Sequence, residues 1–284
     1  MLLSEAIALA KERLALIYNK EEANAITIRL CSHYFGISST EFYTNKGLEP
    51  NEFQLKSFTS ALDKLQEHCP FQYALGETSF YGLTFKVNRN VLIPRPETEE
   101  LVDWIYKDFR SCNSSLNILD IGTGSGAIAI SLARYLPSAN FTAIDISTEA
   151  LKVAKTNADL NKVATHFLED DIFTPSTKLS NQIFDIIVSN PPYVRESEKR
   201  LMNANVLDFE PASALFVPDN DSLKYYQAIA NFATNGLASK GTVYLEINEA
   251  FADETMALFS KEKYTVILRK DLSGKDRMLK VIKL

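Results

Sequence analysis

Hydrophobic and polar positions along the chain change their period twice. From Leu2 to about Pro70 the apolar residues recur at three- and four-residue steps, as in Leu3, Ile7, Ala10, Leu14 and Ile17, and again in Leu55, Phe58, Leu62 and Leu65. That spacing lines one face of a helix. The runs Gly36-Ile37-Ser38 and Gly47-Leu48-Glu49-Pro50 interrupt it and Pro70 closes it, which predicts a small domain of about four helices over residues 1–70. Between residues 71 and 90 the period falls to two. Leu83, Phe85 and Val87 share a face, and Tyr81-Gly82 supplies a turn after Thr78-Ser79-Phe80, so a β-hairpin linker is expected there. A helix is expected over residues 101–109, with Pro96 in its first turn and acidic residues at its positive end.

From Leu116 onward short apolar runs alternate with amphipathic stretches, the rhythm of a parallel sheet layered with helices. Strands are expected over residues 117–121, 141–145, 165–168, 183–189 and 242–247, and helices over 127–136, 148–161, 222–235 and 249–260. Two final strands, 264–269 and 278–282, are separated only by Asp271-Leu272-Ser273-Gly274-Lys275-Asp276-Arg277. A helical crossover needs a longer connection, so this pair is expected to be antiparallel. Residues 91–284 thus read as an α/β domain built on a mixed sheet.

The chemistry of that domain gathers at its strand ends. Ile183-Phe184-Asp185-Ile186-Ile187-Val188-Ser189 is a buried strand that runs into Asn190-Pro191-Pro192-Tyr193. The prolines cannot donate ladder hydrogen bonds, so the strand must stop at Asn190. The carboxyl edge of an open α/β sheet is where ligands bind. There the Asn190 amide oxygen and the Pro191 carbonyl could each accept one proton of a planar NH2 group, with the Tyr193 ring as a face for a flat group to stack on. Read alone, the tetrapeptide is also an ordinary strand-ending turn.

Asp120-Ile121-Gly122-Thr123-Gly124-Ser125-Gly126 follows the first strand of this domain and opens a helix. Its glycines permit a tight turn and close approach of backbone to ligand. By itself the loop does not separate a nicotinamide dinucleotide from other nucleoside cofactors. Asp145, at the end of the next strand, is placed to accept hydrogen bonds from ribose hydroxyls. After the third strand, Asp171 could accept from an adenine amine while Ile172 covers the ring. Together the three strand ends read as a nucleoside pocket.

Composition narrows the partners. Across 284 residues, 46% hydrophobic and 23% charged residues describe an ordinary globular protein. A net charge of −6 argues against broad binding to a phosphate backbone, so no direct nucleic-acid contact is expected. Residues 1–10 lack a basic region and carry Glu5 among their apolar residues. Neither a signal peptide nor a membrane span is expected, and the location is read as cytoplasmic. Cys31, Cys69 and Cys112 are odd in number and far apart, and they share no ligand spacing with His33, His68 or His166. Reduced thiols and no metal are expected.

Taken in order, the glycine loop, Asp145, Asp171 and Asn190-Pro191-Pro192-Tyr193 resemble a class I methyltransferase that uses S-adenosylmethionine. Gln72-Tyr73 with Gly76, Val91-Leu92-Ile93-Pro94-Arg95-Pro96-Glu97-Thr98-Glu99, and Glu210-Pro211 with Ala214-Leu215 are similar to the glutamine N5-methyltransferases of peptide chain release factors. The resemblance covers about residues 70–284, and residues 1–69 resemble that family only as a helical amino-terminal domain. It implies a Rossmann-like, mixed seven-stranded sheet with its last strand antiparallel. It also implies cofactor contacts from Gly122, Thr123, Gly124, Ser125, Gly126, Asp145, Asp171, Ile172 and Asn190, with Asn190, Pro191, Pro192 and Tyr193 at the transferred methyl. S-adenosylhomocysteine would be the product, the glutamine of a Gly-Gly-Gln loop the acceptor, and a monomer the working form. Ile172 departs from the aromatic residue common at the adenine-covering position. The rival readings are an adenine-N6 methyltransferase, whose substrate offers a similar NH2, a nicotinamide oxidoreductase, which has no use for the Asn-Pro-Pro-Tyr stretch, and a partner-binding module with a vestigial glycine loop.

Overall fold

A computed structural model of the chain describes residues 1–45, 47–112 and 114–284. It divides into two compact units, Met1–Glu77 with Asn203–Phe209, and Thr78–Met202 with Glu210–Leu284. The first is helical: α1 (Leu3–Leu14), α2 (Lys20–Phe35), α3 (Ser39–Thr44), α4 (Glu52–Gln66) and α5 (Phe71–Leu75). Side chains close the starts of these helices, as the Asn19 amide oxygen does for the Glu22 N–H and the reciprocal pairs Ser38–Glu41 and Asn51–Gln54 do for theirs. Leu3, Leu14, Leu30, Phe58, Leu62 and Leu65 are fully buried between them. Helix α5 corrects the extended reading of residues 71–75. The Pro70 carbonyl accepts from Ala74 N–H and that of Gln72 from Gly76 N–H, so the chain makes one more helical turn before it extends.

The remaining elements run β1 (Glu77–Phe80), β2 (Leu83–Lys86), α6 (Pro96–Phe109), β3 (Asn117–Ile121), α7 (Ala127–Tyr135), β4 (Asn140–Asp145), α8 (Thr148–Asn161) and β5 (His166–Glu169). There follow α9 (Thr177–Ser180), β6 (Phe184–Ser189), β7 (Val194–Arg195), α10 (Ala204–Phe209, within the first unit) and β8 (Phe216–Val217). The chain ends with α11 (Lys224–Gly236), β9 (Leu237–Glu246), α12 (Ala252–Ala257), β10 (Tyr264–Lys270) and β11 (Asp276–Lys283). Seven strands form one sheet in the order β10-β11-β9-β6-β3-β4-β5. Ladders β9-β6-β3-β4-β5 are parallel, and β11 lies antiparallel between β9 and β10. This is the expected mixed α/β sheet of the class I methyltransferase type.

Both faces of the sheet are covered, which is why its strands are almost continuously apolar. Ile118, Ile186, Val188 and Tyr244 face α6, α7 and the β1–β2 hairpin, whose Phe80 and Phe85 are buried against them. Leu119, Ile187, Val243 and Leu245 face α11 and α12. The chain leaves β3 toward β4 and β5 on one side and later returns to β6 on the other, so the strand order reverses between β3 and β6. Loops diverge there and open a crevice beyond the strand ends. Strand β6 ends at Ser189, as the expected span 183–189 does, and begins one residue later than expected, at Phe184. Among the described residues no helix is long and apolar enough to cross a membrane.

Candidate functional site

The crevice holds a cavity of about 370 Å³, bounded by the carboxyl ends of β3, β4 and β6 and by the turn after β5. Its floor is the loop after β3. Gly122 and Gly124 have φ of +70° and +54°, and a β-carbon built on either would meet nothing within 4 Å. At Gly126 the constraint comes from packing: φ is +82° and a β-carbon would stand 2.5 Å from Ile130 Cδ1 and 3.3 Å from Ala154 Cβ. The loop is therefore open toward the cavity at its first two glycines and packed against α8 at its last.

Side chains from several elements lock this loop. Asp120, buried at the end of β3, accepts from Thr123 Oγ1 at 2.7 Å and from the Ala129 N–H at 3.2 Å through Oδ2. Its Oδ1 is buried without a hydrogen-bond partner. Burial, ahead of those two hydrogen bonds, pushes its carboxyl up to about 7. Asn157 of α8 donates to the carbonyls of Ser125 and Lys86, tying the loop to β2.

Asp145 ends β4 in the cavity wall, accepting from the Gly124 N–H at 2.8 Å and the Ser147 N–H at 2.9 Å, one on each oxygen. Each oxygen keeps a further lone pair. Burial raises its pKa, and these two N–H groups oppose the rise. After β5 the two adjacent carboxylates divide their tasks. Asp170 is buried and accepts from Ser176 and from the Asp171 N–H, so it holds the turn together. Asp171 uses Oδ1 for the Phe173 N–H and lines the cavity beside buried Ile172. Phe173 and Tyr225, whose ring centres are 5.0 Å apart, continue that wall. The aromatic surface missing at position 172 is thus present one residue later and on α11.

Asn190, Pro191 and Pro192 line the opposite side. Asn190 Nδ2 donates to Thr98 Oγ1 at 3.0 Å, and Thr98 Oγ1 donates to Glu246 Oε2 at 2.6 Å. Tyr193 departs from expectation. Its hydroxyl donates to Glu246 Oε1 at 3.0 Å, its carbonyl accepts from Asn248, and its ring packs on the core beneath α11 instead of lining the cavity. The deeply buried Glu246 carboxylate thus draws Tyr193 inward. Desolvation raises the pKa of Glu246 and, with the Glu246 charge, that of Tyr193.

Arg95 lines the cavity and pairs with buried Glu210 at 2.6 Å. Glu210 also accepts from the Ile93 N–H at 3.2 Å, so one carboxylate holds both ends of the Ile93-Pro94-Arg95 segment. Neither Thr98 nor Glu246 has a site role legible in the sequence. Each sits inside a helix or strand, and only their meeting across 148 positions gives them meaning.

Comparison with known proteins places this geometry among methyltransferases. Residues 101–235 match the family model described as Methyltransferase small domain, and residues 5–76 match PrmC N-terminal domain. The chain is 46% identical over 273 residues to the release factor glutamine methyltransferase of Flavobacterium psychrophilum, covering 95% of both chains. It is 41% identical to that of Bacteroides thetaiotaomicron, covering 96% of this chain and 97% of the relative. Among solved structures, a methyltransferase from Pyrococcus furiosus shares the fold at a TM-score of 0.52 and 19% identity, over 72% of this chain and 90% of that one.

Proposed function

The chain belongs to the release factor glutamine methyltransferase family, and on that premise we propose how its own residues carry out the reaction. It is an S-adenosylmethionine-dependent enzyme that methylates the side-chain amide nitrogen (N5) of glutamine in the Gly-Gly-Gln loop of a peptide chain release factor. When bound, the cofactor supplies a methyl group on a sulfonium and leaves as S-adenosylhomocysteine. The cavity fits it. Gly122 and Gly124 leave open space where any side chain would intrude, and Thr123, Ser125 and Gly126 hold that opening in shape. Asp145 has lone pairs for ribose hydroxyls, and Asp171 with Ile172 meets the adenine edge and face.

The observation that carries the reading is the orientation of Asn190. Its NH2 is engaged by Thr98, which leaves its carbonyl oxygen to accept from a substrate. The neighbouring Pro191 is buried in the cavity wall, and no proline in this stretch offers a competing N–H. The Asn190 oxygen and the Pro191 carbonyl each take one N–H of the glutamine amide. An amide nitrogen is a weak nucleophile because its lone pair is delocalised. Two acceptors fix it in line and stabilise the positive charge that grows on it during transfer. Orientation and desolvation supply most of the acceleration, no base is needed before transfer, and the methylated nitrogen, acidic once it carries the positive charge, releases one proton to water afterwards. Pro192 holds the stretch rigid, and Tyr193 anchors it from the core side.

The helical first unit docks the release factor away from the glutamine loop. Tandem mass spectrometry of a release factor incubated with the protein and S-adenosylmethionine should show one added methyl on that glutamine, and much less on a short Gly-Gly-Gln peptide. An unmodified glutamine, or methyl found on DNA or RNA instead, would refute the assignment.

A further inference from the structure

Asn190 alone does not determine which end of its amide meets the substrate, because an amide can be turned over without changing its shape. We infer that Glu246 and Thr98 form a positioning relay that fixes this choice, with the Glu246 carboxylate acting through the Thr98 hydroxyl to present the Asn190 carbonyl oxygen to the acceptor nitrogen. The inference rests on the amide-acceptor role of Asn190 given above and adds the residues that enforce it.

Glu246, enclosed at the end of β9, accepts from the Tyr193 hydroxyl on Oε1 and from the Thr98 hydroxyl on Oε2. Thr98 has a single hydroxyl proton, and at 2.6 Å from Oε2 that proton is committed to Glu246. Toward Asn190, Thr98 therefore offers only lone pairs. The Asn190 group 3.0 Å away must be the NH2, and the carbonyl oxygen is turned the other way. Remove the acceptor at Glu246, and the Thr98 proton becomes available to Asn190. The amide then gains by turning over, which aims an N–H at the N–H of the glutamine and destroys the grip.

The elements make the relay rigid. Thr98 lies in the first turn of α6, is 4% exposed, and is held by its N–H bond to the Arg95 carbonyl. Glu246 is 1% exposed, and β9 pairs it with Met278 of β11. Tyr193 closes the circuit, joining the last residue of the Asn-Pro-Pro-Tyr stretch to the carboxylate that orients the first. Of Asn190, Thr98 and Glu246, only Asn190 touches the acceptor amide in this account, so Glu246 and Thr98 are positioning residues.

The test is single-turnover methylation of a release factor by the full-length protein at saturating S-adenosylmethionine. Thr98→Val keeps the shape and deletes the hydroxyl, and Glu246→Gln places an NH2 beside one of its two hydroxyl partners. Each should slow methyl transfer about tenfold or more while cofactor affinity stays within about threefold. Thr98→Ser should recover most of the rate lost in Thr98→Val. In an Asn190→Ala background neither change should slow transfer further, because nothing is left to orient. A merely structural role would lower stability and cofactor affinity together and would add its loss to that of Asn190→Ala. Should Glu246→Gln fail to fold, the Thr98 pair carries the test. Wild-type turnover by Thr98→Val, or additive losses, overturns the relay. A normal rate for Asn190→Ala alone would instead overturn the acceptor role on which it rests.

Discussion

Asp120 shows how a single buried carboxyl couples the cofactor loop to pH. Its folded pKa, pushed up to about 7 by burial, lies above that of an exposed aspartate. The folded protein therefore holds a proton that the unfolded chain has released. The stability this lends is fully present below the unfolded value of about 4 and is lost as pH rises through about 7. Asparagine at this position keeps an acceptor for Thr123 and Ala129 and cannot ionise. In the cofactor-free protein, the melting temperature of Asp120→Asn relative to wild type should rise as pH goes from 5 to 8. A difference that does not change with pH would show that Asp120 stays charged throughout. The orphaned Oδ1 could not be read from the sequence. There Asp120 is only the residue before a glycine loop, and its isolation comes from the sheet and α7 closing over it.

At the scale of elements, the glycine loop and helix α7 illustrate two demands made on one residue type. Gly126→Ala must accept both a positive φ and a contact with Ile130 and Ala154, inside a packed layer where Ile130 is fully buried. It should destabilise the protein by about 2–3 kcal/mol. Gly124→Ala meets no atom within 4 Å, so its loss is confined to backbone strain of about 1–2 kcal/mol, and its larger effect falls on cofactor affinity. Denaturant unfolding with calorimetric titration separates the two, and equal losses of stability would contradict the packing role of Gly126. Such loops were legible because glycines between a strand and a helix have a narrow range of uses. Helix α8 also matches its expected span, since Ser147 caps its start and its apolar spacing is regular. Strand β9 begins five residues earlier than the pattern placed it, at Leu237 and not Thr242, because pairing of Leu237 with Phe184 extends it through residues that have little strand character of their own. The stretch after Asn248 makes a 3-10 turn, Glu249–Phe251, before α12, where one helix was expected. The two-residue strands β7 and β8 are too short for alternation to reveal.

For the whole molecule, the sequence placed the site where strand ends converge but missed its supporting shell. Each expected loop carries its own signature, whereas Glu246 carries none and the motifs that contain Thr98 and Glu210 do not name their partners; the partners of Thr98, Glu246 and Glu210 lie 92, 148 and 115 positions away. Long-range hydrogen bonds between ordinary polar residues come into existence only with the tertiary fold. The same holds for Tyr193, whose place in the motif implied a stacking face and whose hydroxyl instead seeks a buried carboxylate. The proposed function rests on an acceptor notch at the tip of β6 beside a cavity that takes the nucleoside of the cofactor, and the most direct measurement of that claim is the single-turnover rate of Asn190→Ala on a release factor, with cofactor affinity measured in parallel. Methyl transfer slowed about tenfold to a thousandfold at near-normal affinity is the predicted result. Transfer at the wild-type rate would contradict it.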